Sequence, residues 1–149
     1  MTTSSTTPPT PPATEVTTFS LEQVLQGHRV KFVVAADLVN ALVAAQAKNA
    51  LARALASWGS YDLLLIDELG YLSFDARGAD LLYQVFNRRY QRASTIVTTN
   101  LAFKEWGKLF SNAAAASAIA DRLVHKGLLI RIVGRSRRSD QEVGEAETR

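Results

Sequence analysis

The sequence predicts an α/β fold built on a mainly parallel sheet. Short β-branched or apolar runs alternate with stretches of helical periodicity along the chain, in the order strand, helix, strand, helix, strand, helices, strand. One run, Leu63 to Ile66, is apolar without a break, as in a strand buried on both faces. The chain has 149 residues, 47% of them hydrophobic, which suits one domain of ordinary size.

Each element has a local reason. Met1 to Thr18 is almost all Thr, Ser and Pro, with all four prolines at Pro8, Pro9, Pro11 and Pro12. Such a stretch has little to bury against the entropy of ordering itself, so residues 1–18 read as a disordered tail. Arg29 to Val34 reads as a strand, through Val30, Phe32, Val33 and Val34. Asp37 is placed to cap a helix reaching about Leu55, with Leu38, Leu42 and Ala45 on one face. After Leu63 to Ile66, Asp75 can cap a helix whose Leu82, Phe86 and Tyr90 make a core stripe. Thr95 to Thr99 is β-branched and reads as a strand. Phe103 to Phe110 suggests a short helix with Phe103, Trp106 and Phe110 on one side. Ala113 to His125 is a further helix with Gly127 near its stop, and Leu128 to Val133 a last strand. From Gly134 the chain mixes charges of both signs, and residues 139–149 read as a solvated tail.

Composition excludes some functions. Without cysteine there are no disulfides or thiolate metal sites. His28 and His125 are far apart and suit structural or solvent-facing roles better than metal ligation. No run of 18 apolar residues predicts a membrane span, and the start lacks the pattern of a secretory signal, so the expected compartment is the cytoplasm. The net charge of +3 does not by itself imply a nucleic-acid partner, but permits one if basic residues cluster.

In a parallel α/β sheet ligands bind beyond the carboxyl ends of the strands, so residues there are candidates for chemistry. Within Tyr61 to Glu68, the four apolar residues Leu63 to Ile66 end in two adjacent carboxylates, Asp67 and Glu68. At such a mouth one carboxylate can hold Mg²⁺ and the next can activate a water for attack on a terminal phosphate. The alternative is a strand that simply ends in polar residues at the surface. Asn100 follows the next strand and would lie beside that pair if the strands are neighbours. Its amide could bond a γ-phosphate and the attacking water, or only cap the following structure. Arg122, near the end of an alanine-rich helix, could stabilise a transferring phosphoryl group. It could equally pair with Asp121 or support the helix C-terminus. Nowhere does the sequence contain Gly-x-x-x-x-Gly-Lys-Ser/Thr, the phosphate-binding loop of P-loop ATPases.

These segments together resemble the IstB-like ATP-binding proteins, AAA+ helper ATPases of insertion-sequence transposition related to the DnaC-type helicase loaders. The resemblance rests on Gly27 to Phe32, Ala36 to Val39, Asp62 to Leu72, Thr98 to Leu101, Glu105-Trp106 and Asp121 to Leu123, and spans about Gly27 to Arg138. It implies a P-loop NTPase sheet with flanking helices over residues 19–138, lacking the first strand and the phosphate loop. It also implies ATP and Mg²⁺ as cofactors, with Asp67 (metal) and Glu68 (water activation) as the Walker B pair. Asn100 matches the sensor beside the γ-phosphate, Arg122 a finger offered to a neighbouring subunit, and Arg138 loosely a nucleotide-binding arginine. The implied partners are DNA bound without regard to sequence, a transposase, and further copies of the chain assembled through the ATP interface. A decayed copy, a misplaced start and a gene fragment with a substituted leader are all compatible with the missing front. A helicase loader of DNA replication, or a non-catalytic remnant joining intact relatives, are the rival functions.

Three structural expectations follow. Asn100 should lie close to Asp67 and Glu68. Arg122 should be solvent-exposed in the single chain and distant from Glu68. Arg77, Arg88, Arg89, Arg92, Lys104 and Lys108 should supply a basic surface. The resemblance places the absent strand between the one ending at Asn100 and the last one. Thr95 to Thr99 and Leu128 to Val133 would then face a gap unless they pair with each other or borrow a strand, for which Val16 to Leu25 is the candidate in this chain.

Overall fold

A computed structural model of the chain describes residues 24–110 and 113–132. Its elements are β1 (Val30–Val34), α1 (Ala35–Ala47), α2 (Leu51–Gly59), β2 (Leu63–Leu69), α3 (Ala76–Arg89), β3 (Ser94–Thr99), a 3-10 turn (Phe103–Glu105), α4 (Trp106–Leu109) and α5 (Ala113–Val124). The three strands form one parallel sheet in the order β1-β2-β3, so the strand carrying Asp67 and Glu68 is central.

Register explains the burial. Lys31 and Val33 pair with Leu64 and Ile66, which pair with Thr95 and Val97; these six residues share one face. Leu64 and Ile66 are fully buried there in one core with Leu38, Leu42, Leu82 and Phe86. Leu63 and Leu65 are also buried, on the opposite face, outside that core. Phe32, the partner of Leu65 on β1, is 56% exposed. The continuous apolar run of β2 thus has both faces covered, as the sequence implied, while its neighbours on the second face are half-buried (Val30, Ile96) or exposed (Phe32, Ser94).

The helix expected from Asp37 to Leu55 is two helices. It starts at Ala35, directly after β1, so Asp37 sits in the first turn and favours the helix N-terminus by its charge rather than as a cap. The break falls at Lys48 to Ala50, where Asn49 takes φ 54. Asn tolerates that left-handed conformation better than most side chains and ends α1 there. Asp75 caps α3 as expected, accepting from the Gly78 N–H at 2.7 Å. Leu82 and Phe86 are buried, but Tyr90 is only half-buried and turns its hydroxyl to His125 Nδ1 at 2.6 Å. The aromatic set of the next segment forms: Phe103 and Trp106 lie 4.8 Å apart, Trp106 and Phe110 6.3 Å. Its helix is a 3-10 turn followed by a single α turn, because Phe110 leaves to bridge Phe74.

The last expected strand is absent over Leu128 to Ile132, where the described chain is irregular and Leu128 is 86% exposed. An extended apolar segment becomes a strand only with a partner edge to bond, and among the described residues it has none. Val133, the Thr/Pro stretch and the residues after Ile132 lie outside the described ones.

Candidate functional site

The carboxyl end of β2 is not a regular strand. Ile66 pairs with Val97 and Leu69 with Thr99, so Asp67 and Glu68 together oppose the single residue Thr98. This is a β-bulge, and Glu68 absorbs it with φ 58. A glutamate in the left-handed region is disfavoured by about 1 kcal/mol. The bulge re-aims its side chain, since successive residues of an unbroken strand face opposite sides of the sheet.

Thr98 bridges the two acidic residues. Its hydroxyl donates to Asp67 Oδ1 and accepts the Glu68 N–H at 3.1 Å. Asp67 is half-buried and Glu68 exposed, so one carboxylate is held and the other is free to meet solvent. Asn100 arrives from the next strand. A Cβ built on Gly70 would lie 3.1 Å from Asn100 Oδ1 and 2.9 Å from Leu101 Cδ1, so the Asn100 amide packs against the backbone two residues beyond Glu68. Gly70 itself has φ 111, open to glycine alone at low cost. Gly70→Ala should therefore destabilise the chain by about 2 kcal/mol and displace Asn100. Urea denaturation and the Asn100 side-chain NMR shifts check this; an unchanged midpoint would contradict it. Beyond Gly70, Tyr71 and Leu72 are exposed, and the loop is tied down again by the Phe74 N–H, which donates to the Leu109 carbonyl at 2.8 Å.

Arg122 departs from expectation. It is half-buried and engaged within its own chain. Nη2 donates to the Tyr83 hydroxyl at 2.9 Å, Nε to Asn87 Oδ1 at 3.2 Å and Nη1 to the Ala118 carbonyl at 3.1 Å. The guanidinium also lies 4.8 Å from the Tyr83 ring centre. It makes no ion pair with Asp121; the ion pairs among the described residues are Arg29 with Asp62 and Lys108 with Glu105. Arg138 falls outside the described residues.

Arg89 is the second departure. It was expected on a basic surface and is 1% exposed. Nη1 donates to the carbonyls of Trp58 (3.0 Å) and Tyr61 (2.8 Å), Nη2 to that of Ser94 (2.5 Å), and Nε to Thr95 Oγ1 (2.9 Å). Burial lowers its pKa from the ordinary arginine value, partly opposed by the charge of Asp62. The sequence carried a signal for this: Arg89 is seven residues after Leu82 and three after Phe86, on the same helical stripe. Arg77, Arg88, Arg92, Lys104 and Lys108 are exposed, as a basic surface requires. Thr98 was also missed as a site residue; its signal was a hydroxyl two positions before Asn100 on the strand beside the acidic pair. Among the described residues there is no cluster of three or more His, Cys, Asp or Glu able to hold a metal by itself, and no helix long and apolar enough to cross a membrane.

Comparison with known proteins places this arrangement. Residues 12–144 match the family model of the IstB-like ATP binding protein. The chain is 37% identical over 118 residues to the ATP-binding protein assigned to insertion sequence IS5376 of Geobacillus stearothermophilus, covering 79% of this chain and 47% of that one. It is 41% identical over 107 residues to its IS232 counterpart of Bacillus thuringiensis, covering 72% and 43%. The IS21 counterpart of Pseudomonas aeruginosa is 39% identical over 112 residues, covering 75% and 42%. The chain thus spans less than half the length of these curated relatives. Among solved structures, the DnaC helicase loader superposes with a TM-score of 0.61 at 18% identity, covering 80% of this chain and 70% of that one. DnaA bound to AMPPCP and single-stranded DNA superposes with 0.62 at 20%, covering 87% and 41%. At such identities these likenesses speak for the fold alone, a parallel α/β sheet with flanking helices that matches part of those structures. On the family match and the insertion-sequence relatives, the chain belongs to the IstB-like ATP-binding proteins.

Proposed function

We propose that this chain is part of a helper ATPase of DNA transposition, one that assembles on DNA and recruits a transposase. The observation that supports the reading is that the strand carrying Asp67 and Glu68 lies parallel and next to the strand that runs into Asn100, whose amide packs against Gly70. Asp67, half-buried and oriented by Thr98, is the residue to hold Mg²⁺. Glu68, exposed beside it, orients and activates the attacking water. Asn100 is the donor for the γ-phosphate. ATP with Mg²⁺ supplies the phosphoryl group whose transfer these residues would serve. Arg122 and Arg138 are assigned to the nucleotide of a neighbouring copy and of this chain, respectively. For that role Arg122 has to release Tyr83 and Asn87, so the ATP interface between copies would have to offer its guanidinium a stronger, anionic partner.

Arg77, Arg88, Arg92, Lys104 and Lys108 are the proposed contacts to DNA phosphates. Binding through them is independent of sequence and weakens steeply with salt, because phosphate contacts release counterions. Fluorescence anisotropy with two unrelated duplexes should give equal affinities that fall by about tenfold or more between 50 and 200 mM salt. Salt-insensitive binding, or none at low salt, counts against it. Side-by-side capture with purified partners tests the function itself: the transposase of the accompanying insertion sequence should be retained and a replicative helicase should not. The reverse result would favour a helicase loader.

A further inference from the structure

We infer that Thr98 is the positioning residue of this site, its hydroxyl locking the Asp67 carboxylate and the left-handed turn at Glu68 into one unit. The functional weight of the inference rests on the proposed roles of Asp67 and Glu68; its structural content does not.

The argument begins with the bulge. Where two residues face one, the ladder is interrupted, and the extra residue loses its regular partner on the neighbouring strand. The Glu68 N–H would be such an orphan, and Thr98 Oγ1 accepts it at 3.1 Å. The same oxygen carries a single proton, and that proton goes to Asp67 Oδ1. Both functions of one hydroxyl are therefore committed to the two acidic residues. Two costs oppose the arrangement: the positive φ of Glu68 and the broken ladder. Without the hydroxyl, the alternative is a regular strand, in which Asp67 and Glu68 return to opposite faces. A β-branched residue suits the strand at position 98, but only one with a hydroxyl performs both bonds. Valine has the same shape and neither bond; serine has both bonds and less of the shape.

The test uses the full chain with Thr98→Val, Thr98→Ser, Glu68→Gly and the double variant Thr98→Val with Glu68→Gly. Amide exchange followed by NMR should show the Glu68 N–H exchanging about tenfold faster in Thr98→Val, with the amides of Leu64 and Ile66 unchanged, and near wild type in Thr98→Ser. Glycine adopts a positive φ unaided, so the drop in urea midpoint caused by Thr98→Val should be at most about half as large in the Glu68→Gly background. Equal exchange in the valine and serine variants, or strictly additive midpoints, overturns the inference. If Thr98→Val does not fold, Thr98→Ala replaces it in the same comparison. These measurements read the Thr98 hydroxyl and the turn at Glu68 directly, so they decide the positioning role separately from whether Asp67 and Glu68 serve ATP.

Discussion

Replacing Arg89 with methionine should lower the stability of the fold by about 3 kcal/mol, the largest loss expected of any charged position here. The guanidinium serves four backbone carbonyls, those of Trp58, Gly59, Tyr61 and Ser94, which come from the end of α2, the approach to β2 and the start of β3. With the side chain gone, each carbonyl that stays buried loses its donor at about 1–3 kcal/mol apiece, offset in part by no longer burying a cation. The methionine fills much of the volume, so the loss reflects the bonds rather than a cavity. At a urea dependence of about 2 kcal/mol per molar, the midpoint should fall by roughly 1.5 M. Arg89→Lys should recover about half at most, because a single ammonium cannot reproduce the planar fork. A midpoint within about 0.3 M of wild type in Arg89→Met would show that water replaces the guanidinium without loss.

The second large effect concerns nucleotide. The chain of 149 residues should show no saturable binding of ATP with Mg²⁺ below about 1 mM, less than about 4 kcal/mol of affinity. In P-loop sites the loop amides, the helix N-terminus behind them and the loop lysine hold the phosphates, and no such stretch is encoded here. Asp67 can offer one carboxylate to a hydrated Mg²⁺, which depends on substrate phosphates for the rest of its protein-side binding. Titration with a fluorescent ATP analogue decides the matter. Micromolar binding abolished by Asp67→Ala would mean that the carboxylate side of the site contributes far more than this reasoning allows.

Much of the fold was legible because burial leaves periodic marks. The unbroken apolar run of β2 implied a strand covered on both sides, and Asp75 announced the start of α3. What was misread lay where one local rule met a stronger one. Asp37 satisfied the pattern of a cap, but the chain passes from Val34 straight into α1, and the hydrophobic face of Ala35, Leu38 and Leu42 fixes where the helix begins. Arg89 was counted with the surface cations because arginine is usually solvated, while its place on the Leu82–Phe86 stripe indicated the core. Leu128 to Ile132 has the composition of a strand, yet a strand is a property of two segments, and a single sequence stretch does not carry its partner. For the site, the two neighbouring strands that lead to Asp67 and to Asn100 were legible as strands. The bulge did not, because glutamate gives no hint of a positive φ, and the hydroxyl that stabilises it sits 30 residues away from Glu68.

The two margins of the sheet differ in a way that matters for the purified protein. β1 carries an exposed lysine, Lys31, at its second position, whereas β3, Ser94 to Thr99, has no charged residue and no proline. Among the described residues neither strand bonds a further strand on its outer side. A lysine on one margin discourages another backbone from docking there, and among the described residues nothing comparable guards the other. Growth by backbone pairing into a long fibre needs two permissive margins per molecule, one to receive and one to extend. With a single permissive margin, such contact closes on itself by a two-fold axis and stops at a pair.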